Sequence, residues 1–287
     1  MKFKEKLKLK KFLITSELFP PRGINVTSFM RRASYLSAGI DAVNVTDNQK
    51  ASMRVSSLAM SKILIDCGIE SILQITTRDK NRIALQSEML GANVLGIENI
   101  LLLSGDHPCI GEYSTAKAVY DLDTIQLIKT ARVLETGVDL AGKKLYGFPK
   151  FCIGAVVNPS SQPNDLQILM LEKKIKAGAE FFQTQAIFDV QKYKIFYEKV
   201  KHLKAKILPG IILIRSQEFL RFIQTLPGVN VPEKIQKRIN YSVNPLSEGI
   251  NICSEIIKEL RTFADGVHIM AIGIEEYIPK IIKNSLY

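Results

Sequence analysis

A (β/α)8 barrel of the TIM type, built as a single domain, is the fold this sequence predicts, and three observations carry that reading. Eight short apolar runs rich in β-branched residues recur along the chain, amphipathic stretches of helical length lie between them, and the 287 residues match the ~250 or more that eight such units occupy. Near-continuous hydrophobic strands alternating with helices mark a parallel sheet covered on its outer face. An open doubly wound sheet is the competing arrangement, but no G-x-G-x-x-G follows the first run.

In chain order, the first strand spans residues 12–18 and stops at Pro20 and Pro21, which cannot continue a sheet ladder; helical periodicity follows over 26–38. The second strand, 42–46, precedes a helix over 53–66, and the third, 71–76, a helix over 82–95. Strand 100–103 leads through a Gly- and Pro-containing turn to a helix over 124–134. Strands 152–157 and 181–185 are each followed by one helical stretch, 165–177 and 190–201. After strand 207–212 come a helix over 217–225 and a long stretch, 233–263, interrupted around Asn244 and Pro245. The eighth strand, 266–270, is followed by a last helix over 275–284. The amino terminus reads as a short Lys-rich extension of the barrel domain.

With 46% hydrophobic and 23% charged residues the chain can bury a full core. No apolar stretch approaches the ~20 residues of a bilayer span. Six lysines open the chain without a following apolar segment or small-residue cleavage site, which points to the cytoplasm rather than to secretion. Cys67, Cys109, Cys152 and Cys253 are far apart, so neither a zinc site nor a disulfide framework is indicated, and reduced, mostly buried thiols are expected. The net charge of +11 favours anionic partners, but Lys and Arg are spread evenly rather than gathered with aromatics in a nucleic-acid motif. A phosphate- or carboxylate-rich small ligand suits this charge, and so does a plain compositional bias toward Lys.

Functional side chains of such a barrel come from the carboxyl ends of its strands. The polar residues there are Glu17; Thr46, Asp47 and Asn48; Gln74, Thr76 and Thr77; Ser104, Gly105 and Asp106; Asn158; Gln183 and Gln185; and Arg215. Glu17 closes an apolar run at the carboxyl end of the first strand, and a buried or half-buried acid at that place suggests chemistry. A solvated acid before a turn is the plainer alternative. Gln183 and Gln185 share one strand face, so they line the pocket together or both meet the helix layer. In LLLSGDHP, Gly105 permits a tight turn and Asp106 adds a second carboxylate at the same mouth. With three histidines in the chain no metal cluster is indicated, and His268, inside GVHIMAIG, reads as a hydrogen-bonded core residue.

SELFPPRG, VNVTDN, LQITTRDKNRIALQSEMLGANVLGIENILLLSGDHP, FFQTQAIFD, PGIILI and ADGVHIMAIG, in this order, resemble the methylenetetrahydrofolate reductase family over nearly the whole chain. The resemblance is to the catalytic barrel alone. It implies FAD-dependent reduction of 5,10-methylenetetrahydrofolate to 5-methyltetrahydrofolate, in one-carbon metabolism and methionine biosynthesis. Electrons would come from NAD(P)H or a reduced electron-transfer protein, and the barrel would work as a homo-oligomer or as a subunit of a complex. Residue by residue, it implies that Glu17 is the acid that protonates N10 and that Asp106 is the charge beside flavin and pterin. A proton donor working near neutrality needs surroundings that disfavour its charge, as Leu18 and Phe19 beside Glu17 would. Thr46, Gln74, Ser104, Gly105, Asp106 and Asn158 would meet the flavin, Asp165 and Lys174 its ribose and pyrophosphate, and Gln185 with Gln183 the pterin edge. Gln74, Ser104, Gly154 and Asn158 depart from the His, Arg, Tyr and His of well-studied flavin-binding members. Those departures keep open a flavin-free pterin-binding subunit of an electron-transfer complex; the other rival is a pterin-dependent methyltransferase, since barrels of that kind also bind reduced folates, and the scattered cysteines speak against its internal thiol site.

Overall fold

The computed structural model describes every residue except Lys10, Pro227 and Tyr287. Strands β1 (Leu13–Leu18), β2 (Ala42–Val45), β3 (Ser71–Thr76), β4 (Asn99–Leu103), β5 (Cys152–Val157), β6 (Phe181–Ala186), β7 (Lys206–Ile212) and β8 (Gly266–Met270) pair in sequence order, all parallel, and β8 returns to β1 to close the barrel. Around it run α2 (Thr27–Ser34), α3 (Ser57–Asp66), α4 (Arg82–Val94), α5 (Thr124–Glu135), α6 (Asn164–Ala177), α7 (Val190–Val200), α8 (Gln217–Gln224), α9 (Glu233–Tyr241), α10 (Pro245–Leu260) and α11 (Ile278–Asn284). The stretch expected to break near Asn244 does so for a local reason. The Asn244 side chain accepts from the Ser247 N–H and Pro245 takes the first turn, so α10 starts afresh there.

The period-two alternation of each strand divides the apolar residues between two cores. Ile14, Leu18, Val43, Val45, Leu73 and Ile75 point outward and are buried under the helices by Phe29, Met60, Leu64 and Met89. Leu13, Ala42, Ile72, Leu101, Cys152, Phe181 and Leu208 point inward and fill the amino-terminal half of the barrel. The Lys-rich start of the chain, expected as a simple extension, is a helix, α1 (Phe3–Leu9), that belongs to this inner core. Phe3 and Leu7 lie four residues apart on one face and plug the barrel floor, while the lysines stay on the other. The Phe3 ring meets Phe181 edge-on at 5.3 Å. Phe181 in turn covers Gly154, where a Cβ would come within 2.3 Å of its ring. Gly154 therefore sits low in the barrel, under an aromatic side chain, and does not face the mouth.

Two of the four thiols are buried, Cys152 and Cys253, and two are exposed, Cys67 and Cys109, so the expectation of mostly buried thiols holds for half of them. Burial pushes the Cys253 thiol up to about 12. Among the described residues no helix is long and apolar enough to cross a membrane.

Candidate active site

Above the apolar plug lies a buried polar layer contributed by three neighbouring strands and one across from them. Thr15 and Glu17 come from β1, Asn44 from β2, His268 from β8 and Gln183 from β6, and all five are buried. Asn44 Nδ2 donates to Gln183 Oε1 at 2.6 Å, and Gln183 Nε2 donates back to Asn44 Oδ1 at 3.1 Å and to Thr15 Oγ1 at 3.2 Å. Thr15 Oγ1 is also 3.0 Å from His268 Nδ1. Thr15 Oγ1 also donates to the Val267 carbonyl at 3.4 Å, so its contact with His268 is compatible with either tautomer of the ring, whose other nitrogen is Nε2. That nitrogen is 3.7 Å from Glu17 Oε2. The other carboxyl oxygen, Oε1, is buried without a hydrogen-bond partner.

Glu17 is thus set where the strand pattern placed it, but its surroundings differ from the expectation. Leu18 is on the opposite face of β1, in the helix-facing core, so the acid's neighbours are the polar layer and not an apolar flank. Gln183 also changes role. Its amide is taken up by Asn44 and Thr15, which makes it part of the floor beneath a ligand instead of a contact to one.

The next level up reaches solvent. Gln74, Leu103, Val156, Gln185 and Met270 are the incompletely buried positions at the carboxyl ends of β3, β4, β5, β6 and β8. Gln185 is exposed where Gln183 is buried, and a register shift helps put it there: Gln183 faces Leu208 but Ala186 faces Gly210. Thr184 stabilises that bulge, accepting from the Gly210 N–H at 3.0 Å, and a bulge at a barrel rim re-aims side chains. The Thr46 hydroxyl is buried with no partner. Asn158 is half-buried, and its amide lies where a Cβ on Gly228 would be.

Two loops cover the β1–β4 side. Asp106 is exposed, and its carboxylate accepts from the Lys50 N–H at 2.9 Å. Fully buried Arg78 braces both loops, donating to the Asp106 carbonyl and the Asn48 carbonyl, each at 3.1 Å, while Asp79 pairs with its guanidinium. Gly105, at φ 79°, makes the turn before Asp106 in the left-handed region. Gly111 lies so close to the Lys50 and Ala51 backbone that a Cβ would meet a carbonyl oxygen at 2.5 Å. The Lys50 ammonium reaches across to sit 3.7 Å above the Phe222 ring of α8, and burial pushes it below its usual range. Asp47 faces away from the mouth's chemistry, accepting from Thr76 and from the Lys80 ammonium.

Ser104 is exposed beside Asp106, and Gln74 is half-buried below. On the β5 flank, Asp165 is exposed in the first turn of α6. Lys174 donates to the Val156 carbonyl at 2.7 Å, and desolvation holds its ammonium below the usual range. Arg215 donates to the Ile272 carbonyl at 2.8 Å and stacks on Phe219. The structure therefore gathers Glu17, Thr46, Gln74, Ser104, Gly105, Asp106 and Gln185 at one mouth, with Asp165 and Lys174 to one side. Sequence reasoning missed Thr15, Asn44, Lys50, Arg78 and the placement of His268; Asn44 and His268 carry a signal, since each is a polar residue at an inward strand position. A cavity of about 360 Å3 at the opposite, amino-terminal end is lined by Lys2, Lys6, Asp41 and Glu70 and is separate from this layer.

The methylenetetrahydrofolate reductase family matches this chain over residues 2–286. A probable methylenetetrahydrofolate reductase (NADPH) of Caenorhabditis elegans is 25% identical over 93% of this chain and 41% of its own length, so this chain spans less than half of that relative. A Schizosaccharomyces pombe relative, methylenetetrahydrofolate reductase 2, is likewise covered over 44% of its length, at 23% identity. A 5,10-methylenetetrahydrofolate reductase of Buchnera aphidicola subsp. Schizaphis graminum is 25% identical over 85% of this chain and 81% of its own. Among solved structures, an uncharacterized protein from Clostridium thermocellum that binds two copies of 5-methyl-5,6,7,8-tetrahydrofolic acid superposes with a TM-score of 0.70. It covers 99% of this chain and 98% of that one at 16% identity, which is a likeness of fold.

Proposed function

This chain belongs to the methylenetetrahydrofolate reductase family, and from that premise we propose that it reduces 5,10-methylenetetrahydrofolate to 5-methyltetrahydrofolate with the help of FAD. The observation that carries the proposal is the Glu17 carboxyl group: buried at the carboxyl end of β1, one oxygen unpartnered, the other 3.7 Å from His268 Nε2. An unpaired buried carboxyl oxygen is costly unless something else meets it, and a basic ring nitrogen of the substrate is such a group.

In this reading Glu17 gives its proton to N10 of the folate, which opens the five-membered ring to an iminium. His268, held by Thr15, stands beside Glu17 to exchange that proton. Asp106 contributes a negative charge at the mouth that favours the cationic iminium over its neutral precursor. Gln185 offers both a donor and an acceptor to the pterin edge, while Gln183 and Asn44 fix the floor.

The mouth suits a flavin on two counts: the Thr46 hydroxyl is buried without a partner, and the desolvated Lys174 ammonium has a carbonyl as its neighbour where a phosphate would relieve it. Bound FAD would supply the hydride. Thr46, Gln74, Ser104, Gly105 and Asn158 would hold its ring, and Asp165 and Lys174 its ribose and pyrophosphate. NAD(P)H or a reduced electron-transfer protein would deliver electrons.

An absorbance spectrum of the purified protein, followed by anaerobic mixing of the reduced protein with methylenetetrahydrofolate, tests this reading. Flavin bands that reoxidise with formation of 5-methyltetrahydrofolate are expected. A protein that carries flavin but does not reoxidise with this substrate would overturn it.

A further inference from the structure

Arg78, two residues past the end of β3, has 1% of its side chain exposed, and its guanidinium serves three loops of the mouth. Nε and Nη2 take the two oxygens of Asp79 at 2.8 and 2.7 Å. Nη2 also donates to the Asn48 carbonyl, in the loop after β2, and Nη1 to the Asp106 carbonyl, in the loop after β4. The main chain adds a further tie. The Arg78 carbonyl accepts from the Val119 N–H at 2.7 Å, so this one residue holds the loop after β4 near its start and at its return. Asp79, with Asp47 and Asp106 adding to it, keeps the guanidinium above its usual range in spite of burial. Burying a cation carries a desolvation cost that an apolar side chain would avoid, and a charge retained in that way fits a role in holding one arrangement.

Asp106 closes the circuit. Its Oδ2 accepts from the Lys50 N–H at 2.9 Å. From the guanidinium the path runs to the Asn48 carbonyl, along the backbone to the Lys50 N–H, across to the Asp106 carboxylate, and through the Asp106 carbonyl back to the guanidinium. Asp106 is therefore fixed twice, its carbonyl by Arg78 and its carboxylate by a segment that Arg78 also holds. That segment needs holding. Asn48, Lys50 and Ala51 have φ of 44°, 56° and 49°, left-handed backbone that is unfavourable for Lys and Ala unless the surroundings impose it. Gly105 fits the same arrangement, since its bare α-carbon lets the turn settle onto the guanidinium where a Cβ would come within 3.2 Å of Nη1. Residues 99–106 contain no Lys or Arg, so β4 and its turn bring no cation of their own to Asp106.

An exposed carboxylate on a loop stabilises developing positive charge best when it is already in place as the charge forms. We propose that Arg78 is the positioning residue for Asp106: it clamps the loops after β2 and β4 so that this carboxylate stays at the mouth, and it acts on the reaction through Asp106. The inference rests on the folate-reducing reading above and adds to it the group that sets its second carboxylate.

Amide hydrogen exchange of the full chain tests the clamp without flavin or substrate. In Arg78→Lys, which keeps the charge and loses the planar fork, the Lys50 amide should exchange about tenfold faster than in wild type, the scale of one lost hydrogen bond, while the amides of β6 and β7 stay protected. A Lys50 amide that exchanges as in wild type overturns the proposal, and so does a uniform acceleration along the chain, which would mean that Arg78 supports the fold at large. Single-turnover reoxidation of the reduced flavoprotein by saturating methylenetetrahydrofolate tests the route. Arg78→Lys should slow it about tenfold or more, the effect of a misplaced group, but in the Asp106→Asn background the same substitution should change the rate less than about twofold. Equal slowing in both backgrounds would show that Arg78 acts independently of Asp106 and would overturn the assignment. Where Arg78→Lys does not fold, Asp79→Asn, at an exposed position, loosens the same guanidinium and is read in the same two ways. If wild type does not react with methylenetetrahydrofolate, the functional reading falls and the role in turnover with it, while the exchange result still decides whether Arg78 holds Lys50 against Asp106.

Discussion

Replacing Gln183 by Leu removes the centre of the polar layer with little change in volume. Three hydrogen bonds disappear, and both ends of the Asn44 amide are left buried without partners, since Asn44 is fully buried and its side chain bonds only to Gln183 among the described residues. Each orphaned group costs about 1–3 kcal/mol, so the single variant should lose about 3 kcal/mol of unfolding free energy, offset a little by the added apolar surface. In a chain of 287 residues that corresponds to a fall in Tm of about 5 °C. Asn44→Leu should cost a similar amount, for the same reason in mirror image. The double variant should cost clearly less than the sum, with a coupling of about 2 kcal/mol, because two apolar groups facing each other leave nothing unpaired. Urea titration of the four proteins measures the cycle directly. Additive losses, or single variants within about 0.5 kcal/mol of wild type, would refute the claim that this amide pair forms a closed floor under the site.

Phe3→Ala should cost about 3–5 kcal/mol, because it empties a position at the centre of the inner core against Phe181; a chevron or urea midpoint that does not move would mean α1 is not part of the fold. Asp106→Asn should raise the reduction potential of bound flavin and lower folate turnover, and an unmoved potential in a flavin-loaded protein would place this carboxylate away from the ring. Lys174 gives a pH signature. Its folded-state value is held below the usual 10.5 by desolvation, so between that value and 10.5 the unfolded chain binds more protons and stability rises with pH. Comparing wild type with Lys174→Met by urea unfolding from neutral to alkaline pH should show wild type gaining on the variant as 10.5 is approached; parallel curves would contradict a desolvated ammonium.

The barrel was legible because its strands are apolar on both faces and its helices amphipathic, so period and length separated the two. The strand segments 71–76, 152–157 and 266–270 coincide with β3, β5 and β8 to the residue. What escaped was α1, whose alternating lysines mask the pairing of Phe3 with Leu7. At the site, Glu17 and Gln185 could be placed from strand position alone. The distinct role of Gln183 could not, since period two says which face a residue takes but not how deep in the barrel its partners lie. The closing of the mouth by Lys50 and Arg78 was equally hidden, because it depends on left-handed backbone not only at Asn48, a residue type that favours it, but at Lys50 and Ala51, which do not announce it. Gly154 was read as a missing flavin contact, and only the ring of Phe181 above it shows why glycine is needed.

Glu17→Gln tests the central claim most directly, when the two half-reactions are followed separately by stopped flow. The amide keeps the size and loses the proton, so flavin reduction by the electron donor should continue near the wild-type rate while reoxidation by methylenetetrahydrofolate slows about a hundredfold or more. Reoxidation at an unchanged rate would show that the buried carboxyl group of β1 is not the acid.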